Sequence, residues 1–149
     1  MRLAGAGMLI FCGGGIGYCR LAFWQRRKTF YSELERFLVL AAEELNAHSP
    51  PVPQLLGAAY LRYPFRTFRL KGETPFFPSC CTPGEISLFS LAFSQLGSRC
   101  REDTLNDLAY YQSCCRGFAA LAEENFYKAK SFSVPLGLCG GAALAVLMF

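Results

Sequence analysis

A long uncharged stretch lies near each end of this chain. Residues 3–19 read LAGAGMLIFCGGGIGYC, and the nineteen residues after Lys130 end in PLGLCGGAALAVLMF. A bilayer core about 30 Å thick is crossed by roughly 20 apolar helical residues, so both stretches are close to the shortest that can span it. The sequence therefore predicts an N-terminal transmembrane helix over residues 1–24 and a C-terminal one over residues 132–149.

Each stretch also has another interpretation. The first resembles a cleaved signal peptide in being apolar, but bulky Phe23 and Trp24 follow it where a cleavage site needs small residues. The last could be a buried core helix, although its glycines would each cost a water-exposed helix about 1 kcal/mol. In lipid, glycines let a second helix approach closely, so Gly137, Gly140 and Gly141 are the predicted membrane-packing residues.

The basic residues beside the two predicted spans indicate how the chain is oriented. Only Arg2 lies outside the two uncharged stretches, and the others follow the first stretch or precede the second: Arg20, Arg26, Arg27, Lys28, Lys128 and Lys130. Because Lys and Arg resist translocation, the chain is predicted to lie in the cell membrane with residues 25–131 on the cytoplasmic side. This part is long enough for one small domain. The net charge of +4 averages apolar ends with a polar centre and does not indicate nucleic-acid binding.

The chain has eight cysteines, which in a secreted protein would suggest a disulfide scaffold. Cys12 and Cys139 lie well within the predicted spans, and the cysteines of the middle domain face a reducing cytoplasm, so we expect free thiols. Cys80–Cys81 and Cys114–Cys115 are adjacent pairs rather than the C-x-x-C spacing that holds zinc, and His48 is the only histidine. No metal site is predicted, and a thiol-based redox or metal protein stays as an alternative.

Two helices are predicted in the first part of the middle domain. In TFYSELERFLVLAAEELNAHSPP, Ser32 and Glu35 have the spacing of a capping box, and apolar residues follow at helical spacing. The prolines that come next end this helix. Pro53 suits the first turn of a short second helix that runs through Ala59, so the two helices should form a hairpin.

Two further helices are predicted in the second part of the domain. Thr82 is a suitable N-cap, with Pro83 at the first helical position and Glu85 closing a capping box, and Gly97 follows the helix. An apolar stripe then marks a long helix over residues 101–130. No segment shows sustained strand alternation. The predicted fold class is all-α, a small cytoplasmic helical bundle flanked by the two transmembrane helices.

Basic and aromatic residues alternate in the stretch YLRYPFRTFRLKGETPFFPSCC. The aromatic rings could pack inward and leave the basic groups in solvent, the basic groups could contact the anionic inner leaflet, or the rings could stack on bases. Attachment to a membrane at both ends favours the first two over nucleic acid. The candidate lipid-contact residues are Arg62, Arg66, Arg69 and Lys71.

Catalysis is hard to assemble from these residues. The chain has one histidine and two aspartates, Asp103 and Asp107, which both fall on the predicted long helix. The run GGGIGY does not fit a dinucleotide-binding pattern, and no phosphate-binding P-loop occurs. We therefore expect a non-enzymatic protein without catalytic residues or a cofactor. Paired glutamates usually solvate a helix face and are the candidate partner contacts: Glu43, Glu44, Glu123 and Glu124.

The order of these elements resembles a known family. The chain has a glycine-rich first span followed by LERFLVLAAEELNAHSPPVPQLLGAA, SQLGSRCRED, LNDLAYYQSCCRGFAALAEE and PLGLCGGAALAVLMF. Together these segments are similar to the stage III sporulation protein AB family over nearly the whole chain. The segment between Tyr60 and Thr82 is shorter and richer in proline than in that family, and the cysteine content is higher.

The resemblance implies a function that the residues alone do not give. The family is similar to the cytoplasmic helical domains of platform proteins in type II secretion and type IV pilus systems. It implies a scaffold in the mother-cell membrane around the forespore, within a secretion-like channel complex that endospore formation needs. The implied partners are a cytoplasmic ATPase, other membrane channel proteins and membrane lipids, with a homo-oligomer possible. No catalytic residue is implied.

Overall fold

The computed structural model describes residues 2–48, 51–71, 74–96 and 100–147, with the side chains of residues 1–13 and of part of the last helix outside the described part. Its elements are α1 (Arg2–His48), α2 (Val52–Leu61), β1 (Arg69–Lys71), β2 (Thr74–Phe76), α3 (Pro83–Gln95), α4 (Arg101–Lys128), a π-helical turn (Ala129–Ser133) and α5 (Val134–Leu147). The chain is mostly helical, which confirms the coarse fold class.

One hairpin departs from the all-helical prediction. Strands β1 and β2 pair antiparallel, with Arg69 opposite Phe76 and Lys71 opposite Thr74. Each strand has three residues, too few for alternation of apolar and polar side chains to be visible in the sequence. Leu70 and Pro75 lie on the less exposed face of this hairpin.

The predicted start of a helix at Ser32 is wrong. Helix α1 runs without interruption from Arg2 to His48, so Ser32 lies in its interior and caps nothing. A capping-box spacing has no effect where the preceding residues already continue the helix, and no proline separates them here. Glu35 instead accepts a hydrogen bond from Nε of Arg116 on α4 at 2.6 Å.

The later helices agree closely with the sequence. Helix α3 begins at Pro83, and the backbone N–H of Thr82 donates to the Glu85 carboxylate at 2.8 Å, which confirms the predicted capping box. Helix α2 extends two residues beyond the predicted end at Ala59. Helix α4 continues through the π-helical turn into α5, so the long helix runs on into the C-terminal segment.

The two predicted transmembrane helices are not found among the described residues. No helix there is both long and apolar enough to cross a bilayer. Residues 1–13, which make up most of the first predicted span, have side chains outside the described part.

The chain divides into two compact units. Residues 27–120 form one unit, and residues 1–26 together with 121–149 form the other. The core of the first unit is rich in aromatic rings, such as Phe37 and Phe68, whose centroids are 4.9 Å apart. Its fully buried large side chains come from α1, α2, α3, α4 and the segment before β1: Phe30, Tyr31, Leu34, Phe37, Leu38, Leu55, Leu56, Phe68, Phe89, Leu108 and Cys115.

Candidate functional site

Two of the predicted partner contacts lie at the C-terminal end of α1, where an arginine from the end of α2 meets them. Nε of Arg62 lies 3.1 Å from Glu44, and another of its nitrogens lies 3.6 Å from Glu43. His48 is 3.6 Å from the other Glu44 oxygen. The Glu44 side chain is only 12% exposed, whereas that of Glu43 is 59% exposed. Glu44 therefore holds α2 against α1, and Glu43 is the one that faces solvent.

The other two predicted contacts lie near the end of α4, in the second unit. Glu124 is exposed and pairs with Lys128 one turn later at 2.6 Å, and this lysine lowers the pKa of the Glu124 carboxyl. Glu123 is half-buried. In this pair, as in the first, one glutamate is more exposed than its neighbour, because adjacent helical positions point about 100° apart.

The predicted lipid-contact residues separate into two groups. Arg62 is engaged with the glutamates of α1, so it contributes to the fold. Arg66, Arg69 and Lys71 have exposed side chains. Arg69 and Lys71 share the exposed face of the hairpin with Phe76, since alternate residues of a strand point to the same side.

Most aromatic rings of the same stretch pack inward, as the first of the three interpretations predicts, whereas Phe76 is exposed. Phe68 is fully buried, and Tyr60 and Phe65 pack on the core as partly buried residues. Tyr63 lies under the guanidinium of Arg36, with 4.3 Å between the guanidinium carbon and the ring centroid. The guanidinium covers one face of this ring, so that face is not available for a base to stack on.

Sequence reasoning missed Glu33, a buried carboxylate on α1 that holds the segment before β1. One of its oxygens accepts from the backbone N–H of Arg66 at 3.0 Å. The other accepts from the Thr67 N–H at 2.7 Å, the Thr67 hydroxyl at 2.6 Å and the Phe68 N–H at 2.8 Å. Burial raises the pKa of Glu33, but these hydrogen bonds outweigh it and the net pKa is lowered. A single Glu in an exposed-looking helix pattern gives no sign of this role.

Glu85 does more than cap α3. Its carboxylate also pairs with Arg27 and accepts from the Tyr31 hydroxyl at 2.6 Å, both on α1, while Arg27 donates to the Cys80 carbonyl at 3.1 Å. Burial raises the pKa of Glu85, but the bonds from Tyr31 and Thr82 and the charge of Arg27 outweigh it, so the net pKa is lowered. Burial and the bond to Glu85 raise the pKa of Tyr31.

The described cysteines are free thiols: Cys19, Cys80, Cys81, Cys100, Cys114, Cys115 and Cys139. Burial raises the pKa of Cys81 to about 12 and also raises that of Cys115, so both thiols stay protonated at neutral pH. Within the described residues, no three His, Cys, Asp or Glu side chains are grouped so that they could hold a metal ion.

Of the predicted membrane-packing glycines, Gly140 is the one whose surroundings are described. A Cβ placed there would meet no atom within 4 Å. The surroundings of Gly137 and Gly141 lie outside the described part. The surface at Gly140 is thus open to the approach of another helix.

The ionisable groups described above fall into two classes. Glu33 and Glu85 are satisfied by donors of the chain itself and hold the fold together. Glu43, Arg69 and Lys71 present charge to solvent and can contact a charged surface.

Comparison of the chain with protein-family models, with curated proteins and with solved structures found no match.

Proposed function

We propose that this chain is a non-enzymatic membrane platform, a scaffold of a secretion-like channel complex needed for endospore formation. Its apolar ends, including the helices predicted over residues 1–24 and 132–149, attach it to the mother-cell membrane around the forespore. The cytoplasmic domain between them docks the ATPase of the complex. The proposal rests on the resemblance to the stage III sporulation protein AB family and on the distribution of apolar surface.

The exposed apolar side chains of the terminal unit are the observation that carries this proposal. Among the side chains that the structure describes, twelve large hydrophobic ones are exposed, and eight of them belong to residues 1–26 or 121–149. They are Ile16, Tyr18, Phe23, Leu121, Tyr127, Phe132, Leu136 and Val146. Apolar side chains concentrated in this way are costly in water and indicate a lipid or protein environment.

Exposed acid groups support the docking of a partner. Glu43 on residues 27–120 and Glu124 on the terminal unit keep more than half of their side-chain surface in solvent. An exposed carboxylate contributes little binding free energy by itself, but it accelerates the approach of a basic partner and orients it. These two glutamates are therefore the proposed main contacts with the ATPase. Their less exposed neighbours Glu44 and Glu123 add negative charge beside them.

The test is to isolate the tagged full-length chain from sporulating cells after gentle solubilisation of the membranes. We expect the ATPase of the channel complex and other channel membrane proteins to be recovered with it. The double variant Glu43→Gln/Glu124→Gln should recover at least about threefold less ATPase, because two steering charges are lost.

Glu102→Gln is the matched control, since Glu102 is an exposed glutamate near the start of α4 that no prediction involves. It should recover as much ATPase as the unaltered chain. Recovery of neither the ATPase nor any channel protein with the unaltered chain would refute the platform proposal. Equal recovery with the double variant would leave the platform and remove the proposed docking contacts.

Gly140→Leu tests the membrane side of the same proposal. The open surface at Gly140 supports close contact with another helix, and a leucine there would hold that helix away. Recovery of the other membrane channel proteins should fall, while the amount of chain in the membrane stays constant. Undiminished recovery would show that this face is not a packing surface.

The exposed face of the hairpin supports a second candidate function, contact with anionic lipid. Arg69 and Lys71 lie on this face beside Phe76, an exposed ring of the kind that enters the headgroup region. Exposed Arg66 lies close before it in the chain. Each basic group near an anionic surface contributes about 1 kcal/mol, so three could hold the hairpin on the inner leaflet.

Labelling of the Lys71 amine distinguishes this candidate. With the full chain in nanodiscs, replacing neutral by anionic lipid should slow acetylation of Lys71 by at least about threefold, since each basic group gains about 1 kcal/mol of attraction. Arg66→Gln/Arg69→Gln should abolish the protection. An acetylation rate that does not depend on the lipid charge would exclude lipid contact by this face.

A further inference from the structure

A pocket of about 280 Å³ opens in the unit formed by residues 27–120. Side chains of α2, the hairpin and α3 line it, and its apolar wall includes Val52, Leu56, Pro75, Phe77 and Phe93. Leu56 and Phe93 are buried at its base. A cavity of about 150 Å³ already accommodates benzene, so this pocket has room for a small substituted ring.

The polar side chains in the described lining of the pocket are three hydroxyls, those of Thr74, Ser90 and Ser94. Each of them already donates its hydrogen to a backbone carbonyl. Thr74 donates to Lys71 O at 3.0 Å, Ser90 to Ser87 O at 3.1 Å and Ser94 to Leu91 O at 2.8 Å. A hydroxyl has one hydrogen to donate and two lone pairs to accept with, so these three offer acceptors to a ligand.

The lining residues that the structure describes include no Asp, Glu, Lys or Arg. Among these residues a charged ligand would lose its hydration without meeting a partner of opposite charge. An uncharged ligand with an O–H or N–H group could instead donate to the hydroxyls while its apolar part contacts Leu56 and Phe93. A purely apolar ligand would leave the same lone pairs without a donor.

We propose that this pocket binds a small uncharged molecule that joins an apolar ring or chain to a hydrogen-bond donor, such as a phenol or an alcohol. The proposal is independent of the platform function. The pocket residues are distinct from the exposed glutamates and from the basic residues of the hairpin. The pocket proposal and the platform proposal can therefore fail separately.

Two probes of nearly equal shape test it, 4-propylphenol and its O-methylated form, 4-propylanisole, which lacks the donor. Full-length chain with labelled methyl groups is titrated in nanodiscs, and binding is read from the resonances of Val52 and Leu56 against the free concentration of each probe in water. We expect both methyl resonances to move, and the phenol to bind at least about threefold more tightly because it alone donates a hydrogen bond.

Removing the acceptors should remove this preference. In Thr74→Val/Ser90→Ala/Ser94→Ala, the two probes should bind equally. Ser87→Ala is the matched control, since Ser87 makes the same kind of bond, to Pro83 O at 3.0 Å, but does not line the pocket. It should keep the full preference for the phenol.

Three results would overturn the proposal. One is that neither probe moves the Val52 and Leu56 resonances. Another is that the unaltered chain binds the phenol and the anisole equally. The third is that the triple variant, with its methyl resonances otherwise unchanged, keeps the preference for the phenol.

Discussion

Glu33 acts as a substitute for a strand partner. The backbone N–H groups of Arg66, Thr67 and Phe68 have no helix or ladder to donate to, and the Glu33 carboxylate accepts all three. Buried N–H groups left without acceptors are costly, so this one side chain allows the irregular segment to pass over the core. It also fixes where the hairpin begins, since Arg69 is the next residue after Phe68.

Replacement of Glu33 by Gln should therefore destabilise the chain. The amide can offer one acceptor oxygen, but its NH₂ group then faces an N–H donor, and we expect the free energy of unfolding to fall by about 1–2 kcal/mol. Urea unfolding of the detergent-solubilised chain, followed by near-UV circular dichroism, measures this change. Glu43→Gln is the control and should change it by less than about 0.5 kcal/mol. Equal effects of the two variants would contradict the role of Glu33.

Stability should also depend on pH through Glu33 and Glu85. Both pKa values are lowered in the folded chain from the ordinary 4.5. The unfolded chain then binds more protons in acid, so the stabilisation is complete above that value and is lost as the pH falls through the lower folded values. The urea midpoint should stay level from neutral pH to about pH 5 and then decline. Glu33→Gln/Glu85→Gln should flatten the decline, and an unchanged slope would refute this assignment.

Among the elements, α1 and α3 are joined by a buried ion pair in addition to their aromatic contacts. Arg27 pairs with Glu85 and also reaches the Cys80 carbonyl, just before α3 begins. Tyr31, one turn further along α1, donates to the same carboxylate. Glu85 thus has two roles: it completes the capping box of α3, and it binds α3 to Arg27 and Tyr31 of α1.

Removal of Arg27 should cost far more than removal of its neighbour. Arg27→Gln leaves the Glu85 carboxylate buried without its charge partner, and we expect the free energy of unfolding to fall by about 2–3 kcal/mol. Arg26→Gln changes an exposed arginine and should cost less than about 0.5 kcal/mol. Urea unfolding of both variants provides the comparison. Similar losses would mean that Arg27 contributes only as a surface charge.

The sequence predicted the elements whose signals are local. The start of α3 follows from Thr82, Pro83 and Glu85 alone, and the long α4 follows from its apolar stripe. Ser32 misled because its capping pattern is equally compatible with the middle of a longer helix, and only the residues before it decide. The hairpin was missed because its strands have three residues each, and the segment before it is held by Glu33, more than thirty positions earlier in the chain.

The candidate sites were predictable only as a set of charged residues. Their spacing does not reveal that Arg62 meets Glu44, because the turn between α1 and α2 brings them together. The same contact divides the adjacent glutamates into a buried one and an exposed one. Pockets depend on several elements at once, and nothing in the sequence near Ser90 and Ser94 indicates one.

The whole molecule consists of a helical domain with its own core and of terminal segments rich in exposed apolar side chains. Cys100 lies just before α4, whereas Cys139 lies in α5, and both are exposed in the isolated chain. Water should reach only Cys100 if the terminal segments are in lipid. The labelling rates of these two cysteines by a water-soluble reagent therefore test the membrane proposal.

The most direct measurement compares two single-cysteine variants, one with Cys100 alone and one with Cys139 alone, in membrane vesicles with the cytoplasmic face outward. A charged maleimide that cannot enter lipid is added, and the rate of labelling is measured for each. We expect rapid labelling of Cys100 and labelling of Cys139 at least about tenfold slower, because charged groups are excluded from the hydrocarbon. Equal rates would show that the apolar ends do not hold this chain in a membrane.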